Sequence, residues 1–288
     1  MMFNNYLKEI TMNKTKLTSF IAALVMGGAL SGCMSTTGAD LTGSNRKQLL
    51  LISSEDLNAQ SAQQFKQLTA EARQKGVLDT SSATAKRVKT IFNRLVPQTN
   101  VFRADGQQFN WQIEVIKSNE VNAFAMPGGK MVVYTGIVNQ LKLTDDELAA
   151  IVGHEMAHVL REHSREQVSQ DLAKKQGLSL VSKLAGLSGS QADLAAQVGN
   201  LAITLPFSRT METEADRIGL EMMARAGYNP EAAVTLWQKM AKMGASGGMF
   251  STHPASEARQ KELQKHIPTL MPLYEQSKGK KATATKKR

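Results

Sequence analysis

Cysteine is nearly missing from this chain of 288 residues. Cys33 is the only one, which excludes an internal disulfide framework and any cysteine-rich structural zinc site. Histidine is scarce as well, with 5 residues, so a close grouping of them carries weight. The apolar run from Phe20 to Leu30 falls short of the roughly 18 residues that a membrane-spanning helix needs. Acidic residues are absent from the end of the chain, where Lys278, Lys280, Lys281, Lys286, Lys287 and Arg288 supply +6. Lys8, Glu9, Lys14 and Lys16 add a net +2, so only +2 of the formal +10 falls on residues 33–277. A body that close to neutral excludes the electrostatic footprint of a nucleic-acid-binding protein.

Lys14 and Lys16 stand before the Phe20–Leu30 run, the layout of a secretory signal. Leu30-Ser31-Gly32-Cys33 closes it and resembles a bacterial lipoprotein signal, cleaved before the cysteine. The alternative is an ordinary signal peptide with an incidental cysteine. On the first reading residues 1–32 are a signal peptide, Cys33 carries several acyl chains, and those chains anchor stably where one alone is marginal. Met12 begins a more usual signal than Met1 does. Met34 stands where an Asp would retain a lipoprotein at the inner membrane, so the expected location is the bacterial outer membrane, facing the periplasm. Residues 34–46 are small and polar, and 33–53 read as a flexible tether from Cys33. Residues 54–270 then form one folded domain, and 271–288 a basic disordered tail, either simply solvated or drawn to anionic lipid.

Helical spacing runs from Ser54 to about Gly76 and from Ser82 to about Leu95. From Asn110 the period changes to two, with Trp111, Ile113 and Val115 on one face, and a second strand reads from Lys130 to Thr135. Residues 119–126 between them look extended, and Pro127-Gly128-Gly129 is turn chemistry. The expectation is a small antiparallel sheet with an edge beside the next helix. That helix opens with a Thr144-x-x-Glu147 capping box and stays apolar or small from Leu148 to Leu160 except at one motif. Two helices are expected over 171–204, broken near Gly186 to Gly189, then one from Ser208 to Gly227 and one after Asn229-Pro230. A short last helix runs from Ser256 to His266. The 15 Met residues, among them Met211, Met222, Met223, Met240 and Met243, fall at helical spacing and read as core. The fold class is α+β, mainly α-helical.

The motif is His154-Glu155-Met156-Ala157-His158. H-E-x-x-H on a helix sets two imidazoles on one face, able to grip one Zn2+, with a glutamate beside them as general base. Catalytic zinc takes three protein ligands and keeps one position open. The Ser208–Gly227 helix offers Glu212, Glu214 and Asp216. Glu212 and Asp216 share a face, while Glu214 points about 200° away from Glu212. Glu212 is therefore expected as the third ligand, Asp216 as the acceptor of a ligand imidazole's second N–H, and Glu214 as a solvated residue. His163 lies about 180° around a straight helix from His154 and is expected to stay off the metal. His266 is expected at the surface or at a helix end.

These residues resemble the gluzincin metalloproteases of the HtpX and CAAX prenyl protease family. The resemblance rests on His154-Glu155-x-x-His158, on Glu212-x-Glu214-Ala215-Asp216, on Asn122-Ala123-Phe124-Ala125 before Pro127-Gly128-Gly129, and on Thr252-His253-Pro254. It covers roughly residues 80–265, and with the signal it points to the periplasmic and lipoprotein branch of that family. It implies a zincin-like domain, one zinc ion per chain, a substrate-pairing edge strand at Asn122 and Ala123, and His253 as a fourth ligand or gate. It further implies a zinc-dependent endopeptidase acting on misfolded or stalled cell-envelope proteins. An assembly factor for outer-membrane proteins, with a gated and seldom-used protease site, is the alternative.

Overall fold

Among the described residues, one buried helix lies at the centre of the fold. The computed structural model describes residues 33–38, 40–184, 206–243, 248–253 and 256–285. In chain order the described elements are β1 (Cys33–Met34), β2 (Gln48–Leu49), α1 (Ser54–Gln74), β3 (Leu78–Asp79), α2 (Ala83–Leu95) and α3 (Thr99–Phe102). Then come β4 (Gln112–Ile116), β5 (Ala123–Met126), β6 (Lys130–Tyr134), α4 (Thr135–Gln140), α5 (Asp145–Leu160) and α6 (His163–Leu184). The last are α7 (Arg209–Arg225), α8 (Glu231–Met243), α9 (Met249–Thr252) and α10 (Glu257–Thr285). The expected break near Gly186 and the second helix before residue 204 lie outside the described residues.

The caps are those the sequence announces. The hydroxyls of Ser53, Ser82, Thr144 and Ser208 each accept a first-turn N–H and so start α1, α2, α5 and α7. At α5 the box is complete, because the Glu147 carboxylate returns to the Thr144 N–H. Residues 147–160 of α5 are all buried, so this is the central helix of the core. It is packed by α2, α7, α8 and the sheet, and Met211, Met222, Met223 and Met240 fill the core around it.

The chain is mainly helical with a small sheet beside α5, as expected, but the sheet is mixed rather than antiparallel. Its order is β3-β4-β6-β5, with β4 and β6 parallel and the outer pairings antiparallel. The tight Pro127-Gly128-Gly129 turn makes a β5–β6 hairpin, and it is β6 that slots against β4. Lys130-Met131-Val132-Val133 is buried throughout, and such a continuous run belongs between two strands. The half-buried β5 is left at the edge. Gly129 permits this approach: its φ is +84°, and a Cβ there would meet Trp111 at 2.9 Å.

Two terminal expectations need correction. The presumed flexible tether is packed down: β1 pairs with β2, and Thr37, Thr42, Ser44 and Gln48 are buried. The side chains of Thr37, Thr42 and Gln48 find partners within the segment or on the domain, and Asp40 Oδ1 accepts from both Thr42 N and Ser44 N. At the other end α10 does not stop at His266 but continues through Pro268 and Pro272 to Thr285, into the supposed disordered tail. Leu263 and Leu270 are buried and Ile267, Leu273 and Tyr274 half-buried against the core, a stripe at helical spacing that outweighs the hydrogen bonds the prolines remove. Among the described residues no helix is long and apolar enough to cross a membrane.

Candidate metal centre

Helices α5 and α7 approach at two glycines. A Cβ on Gly219 would stand 2.8 Å from the His154 nitrogen, and one on Gly153 would stand 3.1 Å from the Gly219 carbonyl oxygen. Backbones this close set the first-turn side chains of α7 opposite the last turns of α5. Glu212 and Asp216 therefore face His154 and His158.

The donor atoms converge on one point. His154 Nε2 and His158 Nε2 are 3.0 Å apart, and Glu212 lies 3.5 Å from the first and 3.4 Å from the second. His253, at the C-terminal end of α9, brings its Nδ1 to 3.2 Å from His154 Nε2 and 2.9 Å from Glu212 Oε1. All four residues are buried, with their ligand atoms within 4.8 Å of one another. Around a tetrahedral zinc with N and O ligands at about 2.0–2.1 Å, donor atoms sit about 3.3 Å apart, so this set fits the ion. The protons agree with that. His154 Nδ1 faces Asp216 Oδ1 at 3.0 Å, which directs its Nε2 at that of His158, a contact that either a shared proton or a shared metal cation satisfies.

Arg259 of α10 ties the acids together. Its Nε and Nη2 donate to Asp216 at 2.6 and 2.7 Å, and its Nη1 lies 2.6 Å from Glu212 Oε2. Burial opposes charge on Glu212, yet His253 and Arg259 hold its carboxyl well below the usual carboxylate range. His154 shows the same demand for positive charge. Burial pushes it down, but the hydrogen bonds of Asp216 and Glu212 outweigh that and raise it to about 9. Burial drives His158 the other way, well below its ordinary value. Arg259 carried no signal in the sequence, being one of 35 Lys and Arg residues on a helix with no motif.

Glu155 sits beside this point. Burial, with the Glu212 charge, pushes its carboxyl up. One oxygen accepts the Ala125 N–H at 3.0 Å, and the other is 3.3 Å from His253 Nε2. Ala125 belongs to edge strand β5. The Asn122 carbonyl accepts from Tyr134 N on the side of β6, so alternation turns the backbone groups of Ala123 and Ala125 to the free edge, toward the site. A cleft lined by Leu57, Phe109, Met126, Gly128 and His158 continues from there.

Glu214 and His163 correct the sequence reading. Glu214 is buried, not solvated, and its carboxylate takes Arg46, Arg161 and His163. Burial works against its charge, but these partners lower its pKa to about 2. His163 is fully buried, with Nδ1 2.9 Å from His158 Nδ1 and Nε2 3.1 Å from Glu214 Oε2. The 180° estimate assumed one straight helix. In fact α5 ends at Leu160, and Glu162, at φ +49°, turns the chain. That bend swings His163 back against His158, whose other face stacks on Phe207 at 4.1 Å between ring centres. His266 pairs with Glu262 on the half-exposed face of α10.

Comparison with known proteins finds the model of Peptidase family M48 matching residues 82–267. Mitochondrial metalloendopeptidase OMA1 of Schizosaccharomyces pombe is 32% identical over 233 residues, 78% of this chain and 65% of that protein. Metalloprotease LoiP of Escherichia coli is 29% identical over 256 residues, covering 86% of this chain and 96% of LoiP. Metalloprotease YcaL of the same organism is 26% identical over 266 residues, 89% of this chain and 98% of YcaL. The chain thus spans less than two-thirds of the OMA1 protein and nearly all of the two bacterial ones.

Proposed function

The chain belongs to peptidase family M48, and from that premise we propose a zinc-dependent endopeptidase that cuts unfolded or misassembled cell-envelope proteins. The observation that carries this reading is the convergence of His154, His158 and Glu212 on one point with Glu155 between that point and a strand edge. When bound there, zinc supplies Lewis acidity, lowering the pKa of water toward ~7 and polarising a carbonyl. Glu155 takes the proton from water and passes it to the leaving amine. Its carboxyl, raised by burial, is a better proton acceptor than an ordinary glutamate. Asp216 fixes the tautomer of His154. The free edge of β5, at Ala123 with Asn122 before it, pairs with an extended substrate backbone. Such pairing reads main chain more than sequence and suits unfolded chains.

The envelope setting rests on two supports, the Leu30-Ser31-Gly32-Cys33 signature and the similarity along the whole length of LoiP and YcaL, metalloproteases of a bacterium. On this reading lipid on Cys33 anchors the protein to the outer membrane, facing the periplasm. The wild-type protein is expected to carry one zinc and to cleave unfolded casein. Glu155→Gln should lower cleavage by about 10²–10⁴-fold and trap envelope substrates for mass-spectrometric identification. A wild-type protein without zinc overturns the reading.

His253 favours a second reading. It occupies the fourth position around the donor set and also engages Glu155, which closes the place where water and substrate enter. An assembly factor for outer-membrane proteins, with a gated protease site, fits that arrangement. In that case Glu155→Gln keeps function in cells, and His253→Ala raises casein cleavage by opening the site. A fall in cleavage would instead place His253 in the substrate cleft.

A further inference from the structure

The N-terminal segment and the metal site meet at one carboxylate. Arg46, on the segment that carries β1 and β2, donates to Glu214 through Nε at 3.1 Å and Nη2 at 3.0 Å. It also grips Glu166 of α6 at 2.5 and 2.9 Å. Arg161, wholly buried at the bend between α5 and α6, adds a donor to Glu214 at 3.1 Å and holds Ser35, Thr37 and the Arg46 carbonyl. The segment is thus fastened to the same group that faces His163.

Proton order follows from the distances. A metal at the donor point requires the lone pair of His158 Nε2, so the His158 proton sits on Nδ1. It must be donated to His163 Nδ1, 2.9 Å away, because two protonated nitrogens cannot face each other at that distance. His163 then carries its proton on Nε2 and donates it to Glu214 at 3.1 Å. Only this order satisfies every atom.

We propose that His163 and Glu214 are positioning residues for the metal ligand His158, and that Arg46 couples docking of the N-terminal segment to the metal site. The inference rests on the metal site proposed above. A ligand imidazole whose second nitrogen is held by a fixed partner is more basic and correctly oriented, and loss of such a partner lowers metal affinity about 10–100-fold. Here the partner is another imidazole, and the carboxylate that polarises it is set by a segment close to the proposed lipid anchor.

The test is zinc affinity of the folded full chain by chelator competition, with the electronic absorption spectrum of the Co2+-substituted protein as a second readout. His163→Leu should weaken zinc about 10–100-fold and shift the cobalt bands. His163→Gln, whose amide can accept from His158 and donate to Glu214, should recover most of that loss. Arg46→Met should weaken zinc by roughly 3–10-fold, a partial version of the same effect. His163→Leu with wild-type affinity and spectrum, or His163→Gln no better than His163→Leu, overturns the proposal. If His163→Leu does not fold, Glu214→Gln decides, since it keeps size and an acceptor oxygen but loses the charge: weaker zinc and a shifted spectrum support the coupling, and no change overturns it. A wild-type protein that binds no zinc defeats the metal site itself, whereas equal affinities across variants defeat only the positioning chain.

Discussion

The two ends of helix α5 are built on opposite plans. At its start, Thr144 and Glu147 close each other's hydrogen bonds three residues apart, with Thr235 and Lys239 adding contacts to the same carboxylate. At its finish the chain turns through Arg161 and Glu162, and what satisfies them comes from far away. Gln48 donates to the Arg161 carbonyl, Ser35 and Thr37 receive its guanidinium, and Arg103 reaches Glu162. The metal donors sit at the second end. A local device starts the helix cheaply and independently, while the end that carries the candidate metal donors is set only when several separate segments have docked, which gives it a geometry that no short stretch could impose.

The strongest way to break this comparison is to remove the buried cation at the far end. Arg161→Met should cost about 3–5 kcal/mol, because it strips charge from one side of a buried carboxylate network, whereas Thr144→Ala should cost about 1 kcal/mol. Denaturant unfolding of both variants checks this, and equal losses would erase the distinction. Metal removal sharpens it next. With zinc at 100 to 1,000 times its dissociation constant, chelation should lower stability by about 3–4 kcal/mol, an effect that Thr144→Ala leaves intact and Arg161→Met reduces; melting with and without chelator reads the difference. The smallest test uses two residues with left-handed backbone, Lys142 at φ +47° before the helix and Glu162 at φ +49° after it. Lys142→Gly should stabilise by about 0.5–1 kcal/mol through relief of that backbone. Glu162→Gly should bring no gain, because it also loses Arg103 and Arg165. A gain at both positions would show the far end to be as locally determined as the near one.

The same division decides what could be read from sequence. The capping box, the His154 and His158 pair and the shared face of Glu212 and Asp216 are relations within one helix, and periodicity alone exposes them. Glu214 looks solvated from sequence because its partners Arg46 and Arg161 lie 168 and 53 residues away, and spacing on α7 says only that it points elsewhere. His163 looks remote from the metal donors in the sequence because no glycine marks the bend at Glu162. Strand alternation alone leaves the sheet order and the parallel β4–β6 pairing open, though the buried run of β6 signals a central place. Small polar residues between 34 and 46 suggest a tether; several of the same residues are buried where Asp40 and Arg161 offer partners.

The glycine contact between α5 and α7 also has a consequence in time. A ribosome delivers His154, Glu155 and His158 first, then Glu212, and last His253 and Arg259. Until Gly219 seats on Gly153 the early imidazoles face no carboxylate, so a chain still being made carries the motif without a three-donor site. The third donor therefore joins the first two only after Glu212 has been added and α7 has packed on α5.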